Sequence, residues 1–589
     1  MIKINTQSRW LAAMLLLVAA MVVPTKMWAE EIRPTKPSVG DGSIENPYQI
    51  SNADELYWFA ALVNGDRSVL GTTIPPNPKS CAKLMNDITV NEGVLDASGN
   101  LNSGKPFIEW TPIGIHLTYS GTFDGQGHTV SGLYLDNTGT SYVGLFGINC
   151  GTIQNVGVVD SYFNGEDCVG GVCGMNWHDG TEGIMSVTIT NCYNTGAVNG
   201  RRYVGGVCGY NKIRTGDDGK QVLITDCYNT GKVSGYIGVG GVCGENYPDM
   251  LDNGNSSNSI MNCYNTGAVS GKYYVGGVCG ENSYYKYIER PPSVTIMNCY
   301  YNSDNYTGNA VGNNTGDVVN VMGKTTAEFA SGEVAYLLNE GKAFGTQVWG
   351  QQLGVNDYPV LGSAYKVLMA AQDGLEGSIY WATFSNQTSD ADLGDLTIYK
   401  AKVNNGKMTL TECDNTVAKG EGVLIKGSSK YLNAKLLNTS TEVPEADNDL
   451  VATPATAQIV TADDDYTLYR LTYNDVNNKE AIGFYLSLVK DANGDVIESS
   501  VGKQLKAIPG KAYLNVPTSE SKLPTSAAPA RGFAFPGDNG TTGIECITVT
   551  DENLHRNGYA EGIFDLQGRK VIKPTDGVYI INGKKVIIK

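Results

Sequence analysis

Eight of the thirteen cysteines stand in two columns of the sequence. Cys173, Cys208, Cys243 and Cys279 hold one phase of a repeat, and Cys192, Cys227, Cys263 and Cys299 hold another. Thiols so spaced offer three chemistries: disulfide formation, metal ligation, or none, as small buried hydrophobes. Equivalent residues on stacked coils lie ~4.8 Å apart with parallel side-chain directions, whereas a disulfide needs Cβ atoms turned toward each other. Zinc needs converging ligands, and the chain has no Cys-x-x-Cys pair. The spacing therefore predicts structural ladders packed as core. The other reactive groups are sparse. The four histidines, His116, His128, His178 and His555, show no His-x-x-x-His pair, and no Gly-x-Ser-x-Gly elbow or phosphate loop occurs. Asp491-Ala-Asn-Gly-Asp495 starts like a calcium loop, but Val496 and Gly502 stand where that loop needs Gly and Glu, so a hairpin turn is expected. Asp124, Glu166 and Asp167 do not recur at one phase, so no catalytic residue, metal or cofactor is assigned.

Recognition chemistry has a better candidate. Between the repeated lines sit insertions, Met175 to Ser186, Tyr210 to Gln221, Glu245 to Ser259 and Glu281 to Ser293. All enter at one phase, so they are expected to project from one edge of the stack. Trp177, His178, Tyr210, Tyr247, Tyr284, Tyr285 and Tyr287 lie among their polar residues. Rings in a polar setting suit stacking against sugars or anchoring a protein partner.

The elements that must position these residues are set by near-copies. Val169-Gly-Gly-Val-Cys-Gly174 recurs at Val204, Val239 and Val275, 35, 35 and 36 residues apart. Each copy is followed by a Cys-Tyr-Asn-Thr-Gly line, the last one fading to Cys299-Tyr-Tyr-Asn302. Val143-Gly-Leu-Phe-Gly147 is an earlier copy, 26 residues upstream. Short β-type runs at this period, broken by Gly and Asn, predict stacked strands in which each unit buries its apolar face against its neighbours. In Val187-Thr-Ile-Thr-Asn-Cys192, both Ile189 and Cys192 point inward only if the chain turns a corner at Asn191. That corner would let Asn194, Asn229 and Asn265 stack as an amide ladder. Ala53 to Val63 reads as a helix capped by Ser51 or Asn52 and laid over the open end of the stack. Thr325-Thr-Ala-Glu328 opens a second helix, expected to run to about Asn339 and to dock on the last coil. Short non-repeating strands from about Ala364 to Phe535 read as a β-sandwich.

Charged residues are 17% of the chain and the net charge is -17, without a basic stripe, which argues against nucleic acid and anionic membranes as partners. Lys3 and Arg9, the apolar run Trp10 to Val23, and Ala29 make a secretory signal, too short for a confident span. No transmembrane segment is expected.

Pro47-Tyr-Gln-Ile50, Trp110-Thr-Pro-Ile-Gly114, Phe123-Asp-Gly-Gln-Gly-His128 and the five Val-Gly lines resemble the GLUG-motif proteins, a family of bacterial surface chains. That resemblance implies a right-handed parallel β-solenoid, with no defined activity attached. The sandwich resembles an accessory module of Bacteroidetes surface proteins. Gly562 to Val571 and Gly577 to Lys589, with Asn582-Gly583 as a hairpin signal, resemble the C-terminal sorting domain of type IX secretion cargo. The resemblance implies export and attachment at the cell surface, with the secretion machinery as partner. The expected organisation is all-β: signal peptide 1–29, solenoid with capping helix 30–315, helical cap and connector 316–362, β-sandwich 363–538 and sorting domain 539–589. The expected function is a non-catalytic adhesin or ligand-binding protein for an extracellular glycan or protein. The rivals are a polysaccharide-degrading solenoid enzyme and a structural spacer.

Overall fold

The computed structural model describes residues 31–534 apart from 181–182, 215–218, 249–255, 285–292, 340–341, 343, 374–377, 442, 444–447, 474–481 and 522–531. Beyond them it describes the strands Ile544–Glu545, Ile563–Phe564, Lys570–Val571, Gly577–Ile581 and Lys584–Ile588. The signal peptide expected over residues 1–29 lies outside the described residues. The chain forms two units, up to Thr325 and from Thr326.

The first unit is a parallel β-solenoid of about seven turns. One coil runs through the strands Asp167–Gly170, Cys173–His178, Ser186–Thr190, Tyr193–Asn194 and Ala197–Asn199, and the next begins at Arg202–Gly205. Each strand pairs in parallel with its own copy one repeat on: Val169 with Val204, Cys173 with Cys208, Ile189 with Ile224, Tyr193 with Tyr228, Val198 with Val233. The parallel ladder continues to the strand Asp317–Lys324, past the boundary at 315 read from the sequence.

Period and composition explain the interior. Val169, Val172, Cys173, Ile189, Cys192 and Val198 of one coil are fully buried, and their counterparts fill the same positions above and below. Each such aliphatic side chain contributes about 1.5–3 kcal/mol when removed from water. All eight ladder cysteines are fully buried, and the twelve described cysteines carry free thiols. Cys173 Sγ donates to the Met175 carbonyl at 3.2 Å and Cys192 Sγ to the Thr190 carbonyl at 3.1 Å. Burial pushes the thiols of Cys173, Cys227, Cys243 and Cys299 well up from their ordinary range.

The corner at Asn191 is present. Asn155, Asn191, Asp226, Asn262 and Asn298 all take left-handed backbone with φ between 51° and 55°, a region that Asn and Asp enter at least cost. The expected amide ladder is also present: Asn194 Nδ2 donates to Asn229 Oδ1, and Asn229 Nδ2 to Asn265 Oδ1, each at 2.8 Å. A longer ladder was not anticipated. Asn149, Asn176, Asn211, Asn246, Asn282 and Asn314 are linked amide to amide at 2.8–2.9 Å through six coils. Tyr193, Tyr228 and Tyr264 stack with centroids 4.7 and 5.0 Å apart.

The first helix spans Ala53–Asn64; Asn52 Oδ1 accepts from the Glu55 N–H and left-handed Gly65 ends it. Leu56, Phe59, Ala60 and Val63 lie in the solenoid core, and Phe59 meets the rings of Tyr119 and Phe123. Asn64 seals the contact, donating to the Pro112 carbonyl and accepting from the Gly114 N–H.

The single helix expected from Thr325 to Asn339 is instead two, Thr326–Ala330 and Glu333–Leu338, broken by Gly332 at φ 89°. Both belong to the second unit, where Ala335 packs with Val367 and Tyr431. That unit is antiparallel. Its six-stranded sheet buries Trp381, Ala401, Val403 and Leu424 toward a five-stranded sheet. Ala382, Phe384, Ile398 and Ile425 lie on the opposite face, toward a four-stranded sheet. Alternation along each strand supplies both faces, so the expected sandwich has three layers. Asp491–Asp495 forms a turn, with Asp491 Oδ1 accepting from the N–H groups of Asn493 and Asp495. In the tail, Gly577–Ile581 pairs antiparallel with Lys584–Ile588, Ile581 opposite Lys584; Asn582-Gly583 falls outside the described residues.

Candidate ligand-binding face

Of the ring residues singled out from the insertions, the described ones lie on the ladder or close against it. Trp177, His178 and Tyr210 lie on strands, because the ladder continues past the Val-Gly lines: Trp177 pairs with Lys212 and His178 with Ile213. The insertions therefore begin later than the sequence suggested. His178 is fully buried; its Nδ1 accepts from the Gly180 N–H at 3.1 Å and its Nε2 donates to the Ile184 carbonyl at 2.9 Å. It fastens a loop and faces no solvent. Trp177 is half-buried. Tyr210 is half-buried against the Tyr203 ring at 5.1 Å. Tyr247 and Tyr284 are half-buried too, their backbone N–H groups held by the Asn211 carbonyl and Thr315 Oγ1. Tyr285 and Tyr287 lie outside the described residues.

A different set of positions recurs on successive coils, exposed at Arg201, Arg202, Tyr236 and Lys272 to Tyr274, half-buried at Glu166 and Asp167, and buried at Cys168. Each Val-Gly line is preceded by a glycine and three variable residues: Glu166-Asp-Cys168, Arg201-Arg-Tyr203, Tyr236-Ile-Gly238 and Lys272-Tyr-Tyr274. The frame around them is rigid. A Cβ on Gly200 would sit 2.8 Å from a Val169 methyl and 3.0 Å from a Val204 methyl, and Gly165, Gly235 and Gly271 meet the same kind of limit. The third triplet position, with Tyr142 of the earlier copy, forms a column of left-handed backbone: Tyr142, Cys168, Tyr203, Gly238 and Tyr274, φ 52–68°. Non-glycine residues there cost roughly 1–2 kcal/mol each. The cause lies in the next coil, whose glycine backs onto them: a Cβ on Gly244 would lie 2.4 Å from the Tyr203 carbonyl carbon.

The side chains of this face are rings and charges. Tyr236 and Tyr273 are 47% exposed and Tyr274 44%. Lys272 Nζ lies 5.2 Å from the Tyr236 ring centre and 5.3 Å from that of Tyr273, within cation–π range. The two rings meet edge to face at 5.5 Å. Arg202 holds Asp167 at 2.9 Å, and Arg201 bridges Glu166 and Asp167 at 3.0 and 3.1 Å. Such a surface offers apolar ring faces, one ammonium and guanidinium donors to a ligand laid along the coil axis. The signal was in the sequence: three variable positions locked between constant Gly and Val. It was missed because variation was sought only in insertion length.

Beside this face, Tyr210, Glu245, Glu281 and Asn313 are successive partners in one ladder. Glu245 is 6% exposed, and its Oε2 has no hydrogen-bond partner among the described residues. Burial, with Glu281 beside it, pushes its carboxyl up to about 8. Burial and Glu245 push the Tyr203 phenol up to about 12. Glu281 Oε1 accepts from Ser283 Oγ at 2.8 Å and Asn313 Nδ2 at 2.9 Å. Among the carboxylates weighed for catalysis, Asp124 accepts from the amides of Gln126, Gln154 and Asn155, while Asp167 is held by the two arginines.

No protein-family model matches the chain. Over 162 residues it is 29% identical to halomucin of Haloquadratum walsbyi, an alignment spanning 27% of this chain and 2% of that protein. Over 144 residues it is 28% identical to a "Putative Gly-rich membrane protein" of Evansella cellulosilytica, spanning 23% of this chain and 14% of the other. A solved structure from Bacteroides ovatus, described as a "putative immunoglobulin A1 protease", aligns over 55% of this chain and 95% of its own, with TM-score 0.39 and 22% identity. Among the described residues, no helix is long and apolar enough to cross a membrane.

Proposed function

We propose that this chain is an exported, surface-attached, non-catalytic binding protein whose solenoid holds a glycan or a partner protein along the variable triplets. One observation carries the reading: Tyr236 and Tyr273 stand exposed around Lys272 on adjacent coils, with exposed Tyr274 next to them held in left-handed backbone. Rings left half in water on a rigid ladder contribute little to folding and much to recognition. The export part of the reading rests on the N-terminal signal pattern, and attachment on the likeness of the tail to type IX cargo. The likeness to GLUG-motif proteins rests on the motifs quoted above.

Arrays of glycans and extracellular-matrix proteins, probed with the chain from residue 31 onward, test the proposal. Replacing Tyr236, Tyr273 and Tyr274 together with Ala should abolish binding and leave thermal stability nearly unchanged. Normal binding by that variant would remove the triplet face from the reading. Shortened products from a bound glycan would replace the adhesin by the hydrolase. Removing Gly577 to Lys589 should leave the solenoid folded but release it from the cell surface; retained display would overturn the sorting assignment.

A further inference from the structure

We propose that Glu245 and Glu281, on adjacent coils beside Tyr203 and Tyr210, form a binding site for one hard divalent cation, with calcium the ion they suit best. The inference is independent of the binding reading above.

It starts from a rule of the stack. A ladder residue meets its own copy, so a side chain is buried there without cost only if it complements itself. Asn does so by donating to one neighbour and accepting from the other, and Tyr by stacking. Carboxylates do not: two of them directly opposite repel. Among the paired residues that are described, Glu245 opposite Glu281 is the one carboxylate-on-carboxylate step. Parallel pairing sets their Cα atoms ~4.8 Å apart.

The second observation is independent of the first. Glu245 is more than nine-tenths buried, with Oε2 fully enclosed and unsatisfied among the described residues. A buried carboxyl left so is costly unless something supplies a donor or a positive charge. Among the described residues, the positive charges that reach this carboxyl, Lys212 and Arg202, are outweighed by its burial and by Glu281. Arg202 is taken up by Asp167 at 2.9 Å, and Lys212 Nζ lies over the Tyr210 ring at 5.6 Å. Glu281 is meanwhile held in place through Oε1 by Ser283 and Asn313. Outer hydrogen bonds that fix one carboxylate oxygen are what orient a metal ligand.

The donor set names the ion class. Carboxylate oxygens with a phenol nearby suit a hard cation and disfavour soft or imidazole-seeking metals. Two carboxylates balance a double charge, and calcium accepts irregular oxygen shells completed by water, whereas magnesium demands a near-ideal octahedron.

The test uses the full mature chain stripped with chelator and titrated with terbium, a calcium mimic whose emission Tyr203 and Tyr210 can sensitise. Emission should rise on binding and be displaced by calcium with half-effect on the order of 10⁻⁴ M. Glu245→Gln and Glu281→Gln should each weaken terbium binding tenfold or more while circular dichroism stays unchanged. Calcium should also raise the melting temperature of the wild type and not that of Glu245→Gln. Equal terbium affinity in wild type and both variants, or no displacement by calcium, overturns the site and leaves a pair that shares only a proton. Should Glu245→Gln fail to fold, Glu281→Gln decides alone, since Glu281 is partly exposed and retains space for the amide.

Discussion

The buried asparagines of the two ladders in the coil stack meet copies of themselves, whereas a buried polar side chain in the antiparallel unit meets unlike groups. Asn211 bonds Asn176 and Asn246; Asn433 instead donates to the Gln351 carbonyl and accepts from the Leu353 N–H. Asp390 similarly gathers the N–H groups of Lys419 and Thr441, two unlike segments. The contrast shows what a repeat selects: side chains that satisfy themselves. It also explains why one acidic pair in the stack stands out, when a lone carboxylate in the second unit does not.

The largest effect expected from breaking this contrast comes from one methyl group placed in each unit. A Cβ on Gly231 would sit 1.8 Å from the Gly196 carbonyl oxygen of the neighbouring coil. Gly231→Ala should cost more than about 4 kcal/mol and abolish cooperative folding of the solenoid, read by chemical denaturation. Gly494 has positive φ but open space around it, so Gly494→Ala should cost only about 1–2 kcal/mol.

Next comes the ladder itself. Asn229→Ala strands the donor of Asn194 and the acceptor of Asn265, and should cost roughly 3 kcal/mol. Adding Asn265→Ala should cost less than it does alone, because its partner is already gone. Asn229→Ala and Asn433→Ala should instead add, within about 0.5 kcal/mol.

A smaller effect depends on pH. Glu245 is held at about 8 in the folded chain against an ordinary 4.5. Its folded value is the higher one, so the folded state keeps a proton that the unfolded state has released between those values. Stability should fall as pH rises toward 8, by roughly 2 kcal/mol between pH 6 and 8 with chelator present. Glu245→Gln should flatten this slope; an unaltered slope would assign it to other groups. Least of all, Tyr236→Ala and Tyr273→Ala should each shift stability by under about 1 kcal/mol, as exposed residues outside the self-matching interior.

The interior was readable in the sequence because repetition displays every ladder several times. The corner at Asn191, the Asn194 ladder and the buried cysteines follow from period and residue type alone. The Asn176 ladder was equally visible, in Gly-Met-Asn, Gly-Tyr-Asn and two Gly-Glu-Asn copies, and so was the acidic pair within them. Both were passed over because those residues were assigned to insertions. Where a strand ends cannot be read from spacing: Trp177 and His178 stay on the ladder because the neighbouring coil supplies partners. The second helix was misjudged at Gly332, where a left-handed residue divides one amphipathic run.

Self-matching edges also make the coil a unit of inheritance. Residues 204–238 run from one Val-Gly line to the start of the next. A tandem duplication of the DNA for this segment would add a coil whose two edges already fit its neighbours, lengthening the stack by ~4.8 Å. The new copy would bring its own amides and thiols into register, while its triplet, Tyr236-Ile-Gly238, would be released to diverge. Reach and recognition could then evolve by copying and editing, with no new fold to find.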